Sequence, residues 1–495
     1  MVPERFTPLL QEAAPLAERF TAAGFRLYLV GGIVRDAILG DSLRSGHAGR
    51  RSGHAGRRSG HADRRSGHAG RHPDLTDLTD LDFTTDAPPD DIERIVRPWA
   101  EAVWLQGKRF GTIAALKDGR RYEVTTHRAD AYSSDSRKPD VAFSDKVEAD
   151  LSRRDFTVNA MALSLPGLEL IDPHGGLADL AARRLRTPLA PEESFSDDPL
   201  RMLRAARFLA GYGLQPGGDL VEAVKAMHGR LGIVSAERIR DELDKLLVVA
   251  DPGPGLWFLV DTGLAGEFLP ELPALALEQD PIHRHKDVLA HTIAVVERAP
   301  ADRILRLSAL LHDIGKPRTR AYGPHGVTFH HHEVVGARMA EKRMRELHYP
   351  VEDIDAVRRL VELHLRFHGY GDDVWTDAAV RRYARDAGPQ LLDRLNQLTR
   401  ADCTTRNKAR ARELDRRMDL LEARIAELRQ QEELDAIRPD LDGHQVMAHL
   451  GVPPGRLVGQ ALAHLLEARL DEGPLGEEEA YRRLDKWWAE NRPPD

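Results

Sequence analysis

Apolar residues spaced three and four apart between Leu9 and Phe20 predict an amphipathic helix over 9–23, closed by Gly24. The pattern then shortens. RLYLV predicts a strand, and Gly31-Gly32 separate it from a helix running through Leu39. Strand-like segments resume near 80–84, 102–105, 111–117 and 121–126, with a helical stretch at 89–97. After Pro188 helical spacing takes over, at 197–211, 219–228, 235–249, 286–298, 303–313, 333–346, 353–365 and 376–400. Residues 406–434 form a charged run with Leu and Ile three to four apart, Pro439 interrupts it, and a last helix closes the chain. This order predicts an α+β fold: an α/β head followed by an elongated all-α region. The expected divisions are 1–165, 166–275, 276–405 and 406–495.

One segment has neither period. Residues 44–71 are RSGHAGR written four times, with Asp63 the single change. Seven residues is also the coiled-coil repeat, but these units have almost no apolar positions. Their glycine and serine predict a flexible, disordered loop inserted into the head.

Composition narrows the class. With 41% hydrophobic and 30% charged residues over 495 positions, the chain reads as a soluble globular protein of several domains. Cys403 is the only cysteine, so no intramolecular disulfide forms. The first twenty residues lack a signal-peptide core, and no apolar run is long enough for a bilayer. A cytoplasmic protein without a membrane partner is expected. The net charge is −8, and the eight Arg and one Asp of the repeat contribute +7, which leaves −15 elsewhere. Net charge therefore says nothing for a nucleic-acid partner, which would need local basic faces.

Candidate chemistry begins at LYLVGGIVRD. Glycines between a strand and a helix let backbone N–H groups approach a phosphate, and Arg35 follows three residues after Gly32. An ordinary strand–helix turn has the same pattern. In TDLDFTT, Asp80 and Asp82 are two apart on a strand and so share a face, an arrangement that suits Mg²⁺ and its phosphate ligands. Asp-x-Asp is also common on surfaces. Glu123 in RYEVTTHR is a third carboxylate if its strand neighbours the first; otherwise it is an exposed strand residue.

These segments occur in an order that carries a resemblance. GGxVRD, DLDF, FGT, EVTTHR, RRDFTVNAMA, DPHGGLADL and DDPLRMLRAARF resemble the motifs of bacterial tRNA nucleotidyltransferases, the second class of the CCA-adding and poly(A) polymerase family. The match runs from about residue 25 to 250. The resemblance implies a nucleotidyltransferase head with catalytic Asp80 and Asp82 holding Mg²⁺, and Glu123, from the reading of its own segment, is the third catalytic candidate. It implies nucleotide binding by Gly32, Arg35, Arg154, Asp155, Asp198, Arg201, Arg204 and Arg207, to which the glycine turn itself adds Gly31, and RNA-binding helical regions at 166–275 and 406–495. Asp198 and Arg201, three apart, share a helix face. A carboxylate accepts from the amino group of cytosine or adenine, whereas uracil and guanine set a carbonyl there. An unpaired buried polar group costs about 1–3 kcal/mol, so one Asp/Arg pair selects C and A. A capping Asp at the start of a basic helix is the alternative.

A second constellation lies in the middle. LLHDIGK resembles the core of the HD superfamily, in which a histidine, an adjacent His-Asp and a distant Asp bind metal. The resemblance implies metal ligands at His291, His312, Asp313 and Asp402, with His332 and His364 as the extra histidines of two-metal members. A divalent ion there, Mg²⁺ or Mn²⁺, suits attack of activated water on a phosphate ester. A metal-free helical bundle is the other reading.

The expected function is template-independent addition of the 3′-terminal CCA of tRNA from CTP and ATP, with release of pyrophosphate. The partners are tRNA and the two nucleotides, not DNA. The alternatives are a poly(A) polymerase on the same scaffold, an enzyme restricted to CC or A, a phosphohydrolase acting through the HD part, and a non-catalytic RNA-binding protein.

Overall fold

The computed structural model describes residues 6–44, 80–131, 140–277, 287–324, 326–368, 375–405, 407–432 and 437–492. The expected loop of the repeat, from residue 45 onward, lies outside them. The chain forms two compact units. The first is residues 1–234 with 262–264, and the second is 235–261 with 265–495.

The first unit is built on a seven-stranded sheet. Its strands are β1 (Leu27–Val30), β2 (Asp80–Thr85), β3 (Ala102–Trp104), β4 (Thr112–Lys117), β5 (Arg120–Thr126), β8 (Ala162–Leu165) and β9 (Leu170–Ile171). β6 (Arg128–Ala131) and β7 (Asp140–Phe143) pair as a separate hairpin. The order across the sheet is β3-β4-β5-β2-β1-β8-β9, and only β2 and β5 run parallel. β1 lies mid-sheet with all four residues buried, which is why its sequence is a continuous apolar run rather than an alternation. β2 buries Leu81 and Phe83 on one face and exposes Asp82 on the other.

Helix α1 (Thr7–Ala22) buries Leu9, Ala13, Leu16, Ala17 and Phe20, the stripe its spacing predicts. Around the sheet come α2 (Gly32–Arg44), α3 (Pro89–Val96), α4 (Val147–Ser152), α5 (Gly176–Ala181), α6 (Pro191–Asp197), α7 (Leu200–Tyr212) and α8 (Gly218–Met227). The boundary expected at 165 falls inside a strand pairing. Ala162 pairs with Ile171 and Leu163 with Leu170, so the sheet continues past that point.

Among the described residues the second unit is helical apart from one short hairpin, Ala321–Gly323 with Gly326–Thr328. It holds α9 (Ala236–Leu247), α10 (Gly253–Asp261), most of α11 (Leu264–Phe268), α12 (Val288–Arg298), α13 (Arg303–Leu311), α14 (Lys316–Thr319), α15 (His332–Glu346) and α16 (Val351–Leu363). There follow α17 (Asp377–Ala387), α18 (Leu392–Asp402), α19 (Lys408–Gln431), α20 (Gly443–Leu450), α21 (Arg456–Glu472) and α22 (Glu477–Asn491). α13 is central, with Ile304 through Leu311 all buried. Its buried Arg306 donates to the carbonyls of Ala299, Leu247 and Val249, which satisfies a charge that would otherwise be costly there. The helix expected over 376–400 is two. Gly388 at φ +72° ends α17, and Pro389 cannot continue the hydrogen-bond ladder. The last three helices close their own core around Val446, Val458, Leu465 and Leu484.

Candidate functional site

Asp82 and Glu123 are register partners on the parallel strands β2 and β5. Asp80 opens β2, paired with Arg121. The sheet thus makes Glu123 the strand neighbour of the Asp-x-Asp segment. The pleat leaves Asp82 exposed and Glu123 half-buried, while Tyr122 and Val124 point into the core. The Glu123 carboxylate is 2.5 Å from the Arg121 guanidinium. The carboxylate oxygens of Asp82 and Glu123 are hard donors on one open face, a set that fits Mg²⁺.

The glycines after β1 form the other wall. Gly31 has φ +79°, and a Cβ there would sit 3.0 Å from Arg154 Nη1 and 4.0 Å from Asp82 Oδ2. The backbone conformation is what calls for glycine at position 31; against a Cβ, the Arg154 side chain would have to give by only a few tenths of an ångström. A Cβ on Gly32 would lie 3.3 Å from Arg35 Nη2. Arg35 itself is buried. Its guanidinium donates to Asn159 Oδ1, Asp36 and the Tyr212 hydroxyl, and lies 4.1 Å over the Tyr212 ring. It ties α2 to α7.

The RRDFTVNAMA segment grips α7. Arg204 donates twice to Asp155 Oδ2, at 2.9 and 2.6 Å. Asp155 Oδ1 accepts from Phe156 N–H and Asn159 Nδ2. Burial pushes the Asp155 carboxyl up, but Arg204 and these donors outweigh it and hold the pKa below the ordinary carboxylate value. Arg201 donates to Ser194 and to the carbonyl of Arg153. Asp198 does not share a helix face with Arg201 as expected: it is the extended residue that ends α6, two residues before α7, and its Oδ1 accepts from Leu200 N–H 3.2 Å away. Arg201, Arg204 and Arg207 are each half-buried along one side of that helix, and Arg207 lies 4.8 Å over the Phe208 ring.

The second unit brings all six expected metal ligands together, and helix ends do most of the positioning. His291 lies in α12; His312 and Asp313 follow α13; His332 begins α15; His364 follows α16; Asp402 ends α18. Asp313 is fully buried between two groups. Its Oδ2 is 3.2 Å from His312 Nε2 and 3.6 Å from His291 Nε2. Its Oδ1 is 3.3 Å from His332 Nε2 and 3.9 Å from His364 Nε2. Asp402 Oδ1 joins the first group, 2.9 Å from His291 Nε2 and 3.7 Å from His312 Nε2.

The histidine tautomers follow from the backbone. Nδ1 of His312, His332 and His364 lies 2.7 Å from the carbonyls of Ala309, Phe329 and Val361 respectively. A carbonyl only accepts, so each Nδ1 carries a proton, which leaves each Nε2 directed at the other members of the cluster. His332 and His364 bring their Nε2 atoms within 3.3 Å of one another. A shared proton or a cation suits that spacing. His312 Nε2 and Asp313 Oδ1 are buried and meet no hydrogen-bond geometry among the described residues. These observations fit divalent metal, in two adjacent clusters that share Asp313.

Electrostatics agree with that fit. Burial raises the Asp313 carboxyl, but His312, His332 and Lys316 reverse the effect and hold it well below the carboxylate range. Burial, followed by the charge of His312, holds His364 down to about 3, so it is neutral and ready to ligate. Lys316 lies 2.5 Å from Asp313 Oδ2. Sequence reasoning assigned this lysine no role, although its three-residue spacing in HDIGKP was a usable signal. Thr404, 2.7 Å from His291 Nδ1, had no such signal, because folding brings it from 113 residues away.

Residues 65–186 match the poly A polymerase head domain, 213–275 the family described as the probable RNA and SrmB-binding site of polymerase A, and 288–428 the HD domain. The A-adding tRNA nucleotidyltransferase of Deinococcus radiodurans is 35% identical over 412 residues, covering 80% of this chain and 92% of that protein. This chain belongs to the CCA-adding and class II poly(A) polymerase family, with an HD domain. A second family member, the CCA-adding enzyme of Latilactobacillus sakei, is 34% identical over 277 residues, 55% of this chain and 59% of its own. The family fold appears in the Bacillus stearothermophilus CCA-adding enzyme in complex with CTP, with TM-score 0.65, 22% identity and 99% of each chain covered. The Thermotoga maritima enzyme complexed with tRNA has TM-score 0.56 and 17% identity over 97% and 95% of the two chains.

Proposed function

We propose that this protein extends the 3′ end of tRNA from CTP and ATP and builds the terminal CCA without a nucleic-acid template. The observation that carries the reading is that Asp82 neighbours Glu123 across β2 and β5 and lies beside Gly31, which Arg154 also approaches. Asp80 and Asp82 would hold Mg²⁺, which when bound neutralises phosphate charge and activates the attacking hydroxyl. Gly31 leaves room for a triphosphate beside the Arg154 guanidinium. Arg201 and Arg204, tied to the segment that carries Arg154, hold α7, and Asp198 just before it, at a set distance from that triphosphate. The tRNA 3′-oxygen attacks the α-phosphorus, and pyrophosphate leaves.

A second reading is addition of the terminal A alone. It is favoured because the Deinococcus relative, which matches over 92% of its length, is an A-adding enzyme. One experiment separates the readings: purified protein with tRNA lacking CCA, tRNA ending in CC, or an unrelated RNA, and each nucleotide in turn. Extension of the first substrate by C, C and A supports CCA addition. Extension of the second substrate only, and only with ATP, supports the A-adding reading. Long A tails on any RNA indicate a poly(A) polymerase.

The HD unit supports a further step, metal-dependent hydrolysis of a phosphate ester. Lys316 would orient Asp313 there, and Thr404 would orient His291. The expected location of the protein is the cytoplasm; no helix among the described residues is long and apolar enough to cross a membrane.

A further inference from the structure

The carboxylates of the head belong to a longer row. Asp82 pairs with Glu123, Glu123 with Ala114, and Ala114 with Trp104. The four positions run side by side across β2, β5, β4 and β3, so one sheet face presents two carboxylates, a small floor and an indole. Trp104 is on the edge strand and is 40% exposed. Trp104, Gln106, Ala114, Arg121 and Glu123 line one cleft of about 470 Å³. That volume is within the range of small-ligand clefts, roughly 300–1,000 Å³.

We propose that this cleft receives the 3′-terminal nucleotide of the tRNA acceptor strand, whose base stacks on Trp104. The assignment rests on the tRNA-extending reading above. Three strand intervals separate Trp104 from Asp82, about 14 Å of backbone at ~4.8 Å per strand. The indole, one nucleotide and the carboxylates share that span, which directs the ribose 3′-hydroxyl of a stacked nucleotide toward Glu123 and Asp82. Ala114 contributes only a methyl group between them, and Thr112, also on β4, lines the cleft beside it. Arg121, half exposed at the rim, meets the phosphate of the bound nucleotide. Stacking suits this task because every base has a π face, so the platform accepts whichever base ends the primer. Trp104 is thus a positioning residue for the acceptor, separate from the base selection assigned to Asp198 and Arg201.

The test uses the full-length protein and a tRNA whose 3′-terminal nucleotide is 2-aminopurine. Stacking on the indole quenches its fluorescence on binding. Trp104→Ala removes the quench, and Trp104→Phe retains most of it. With unlabelled tRNA, Trp104→Ala raises the KM for tRNA roughly tenfold while the KM for nucleotide moves less than about twofold, and Phe restores the former. Absence of quenching in the wild type, or unchanged quenching and KM in Trp104→Ala, overturns the proposal. The quench needs no catalysis. A wild type that quenches but adds nothing to any tRNA therefore tells against the tRNA-extending reading, and one that extends tRNA but does not quench tells against the stacking platform alone.

Discussion

Arg204 holds the buried Asp155 carboxylate through two hydrogen bonds, at 2.9 and 2.6 Å, and so joins two motifs 49 residues apart. Because Arg204 is partly exposed, replacing Asp155 by Asn should cost about 1–3 kcal/mol, readable as a shifted urea midpoint. The folded pKa of Asp155 lies below its unfolded value. Its contribution is therefore complete above about pH 4 and is lost as pH falls through the depressed folded value. The Asn variant should lack this part of the acid-induced loss. Equal stability and the same acid profile in both proteins would remove the pair from the account.

Asp80→Ala and Asp82→Ala should each abolish nucleotide addition while tRNA binding persists in a filter or gel-shift assay. Glu123→Gln should lower addition by roughly 10- to 100-fold, as expected for a group that supports a metal-ligating carboxylate. Full activity in either aspartate variant would remove the metal assignment on β2.

Asp198 ends α6 just before α7, with its Oδ1 accepting from Leu200 N–H, and is the proposed base-selecting carboxylate. Asp198→Ala should narrow the preference for CTP and ATP over UTP and GTP by at least roughly fivefold in kcat/KM, because the mispaired acceptor costs about 1–3 kcal/mol. A variant with lower stability but unchanged selectivity would leave the residue as a helix cap only.

Asp313 faces both histidine pairs, so its loss should be felt at both. Metal content after dialysis against Mn²⁺ should be two ions per chain in the wild type, one in a His332→Ala/His364→Ala variant and none in Asp313→Ala. Chelation should lower the Tm of the wild type and not that of Asp313→Ala. His312→Ala should remove any phosphatase activity and leave nucleotide addition intact. Equal loss of both would show that the HD unit supports the transferase structurally.

Local sequence determined the elements and the residue types of both sites. The stripe of α1, the apolar run of β1 and the glycines after it follow from short-range periodicity and backbone sterics, which act within a few residues. The same holds for the histidine-aspartate segment after α13. Tertiary structure decided which distant groups meet. Glu123 became the neighbour of Asp82 only because β5 pairs parallel to β2, a choice that no local pattern encodes. Arg35 turned inward to Asn159 and Tyr212 because α2 packs where those residues can satisfy its charge. Asp313 came to face four histidines because five helix ends converge on it, and Trp104 joined the carboxylate row because β3 closes the sheet edge beside β4. Strand order and helix convergence are set by burial summed over the whole core, and for that reason they are absent from any single stretch of the chain.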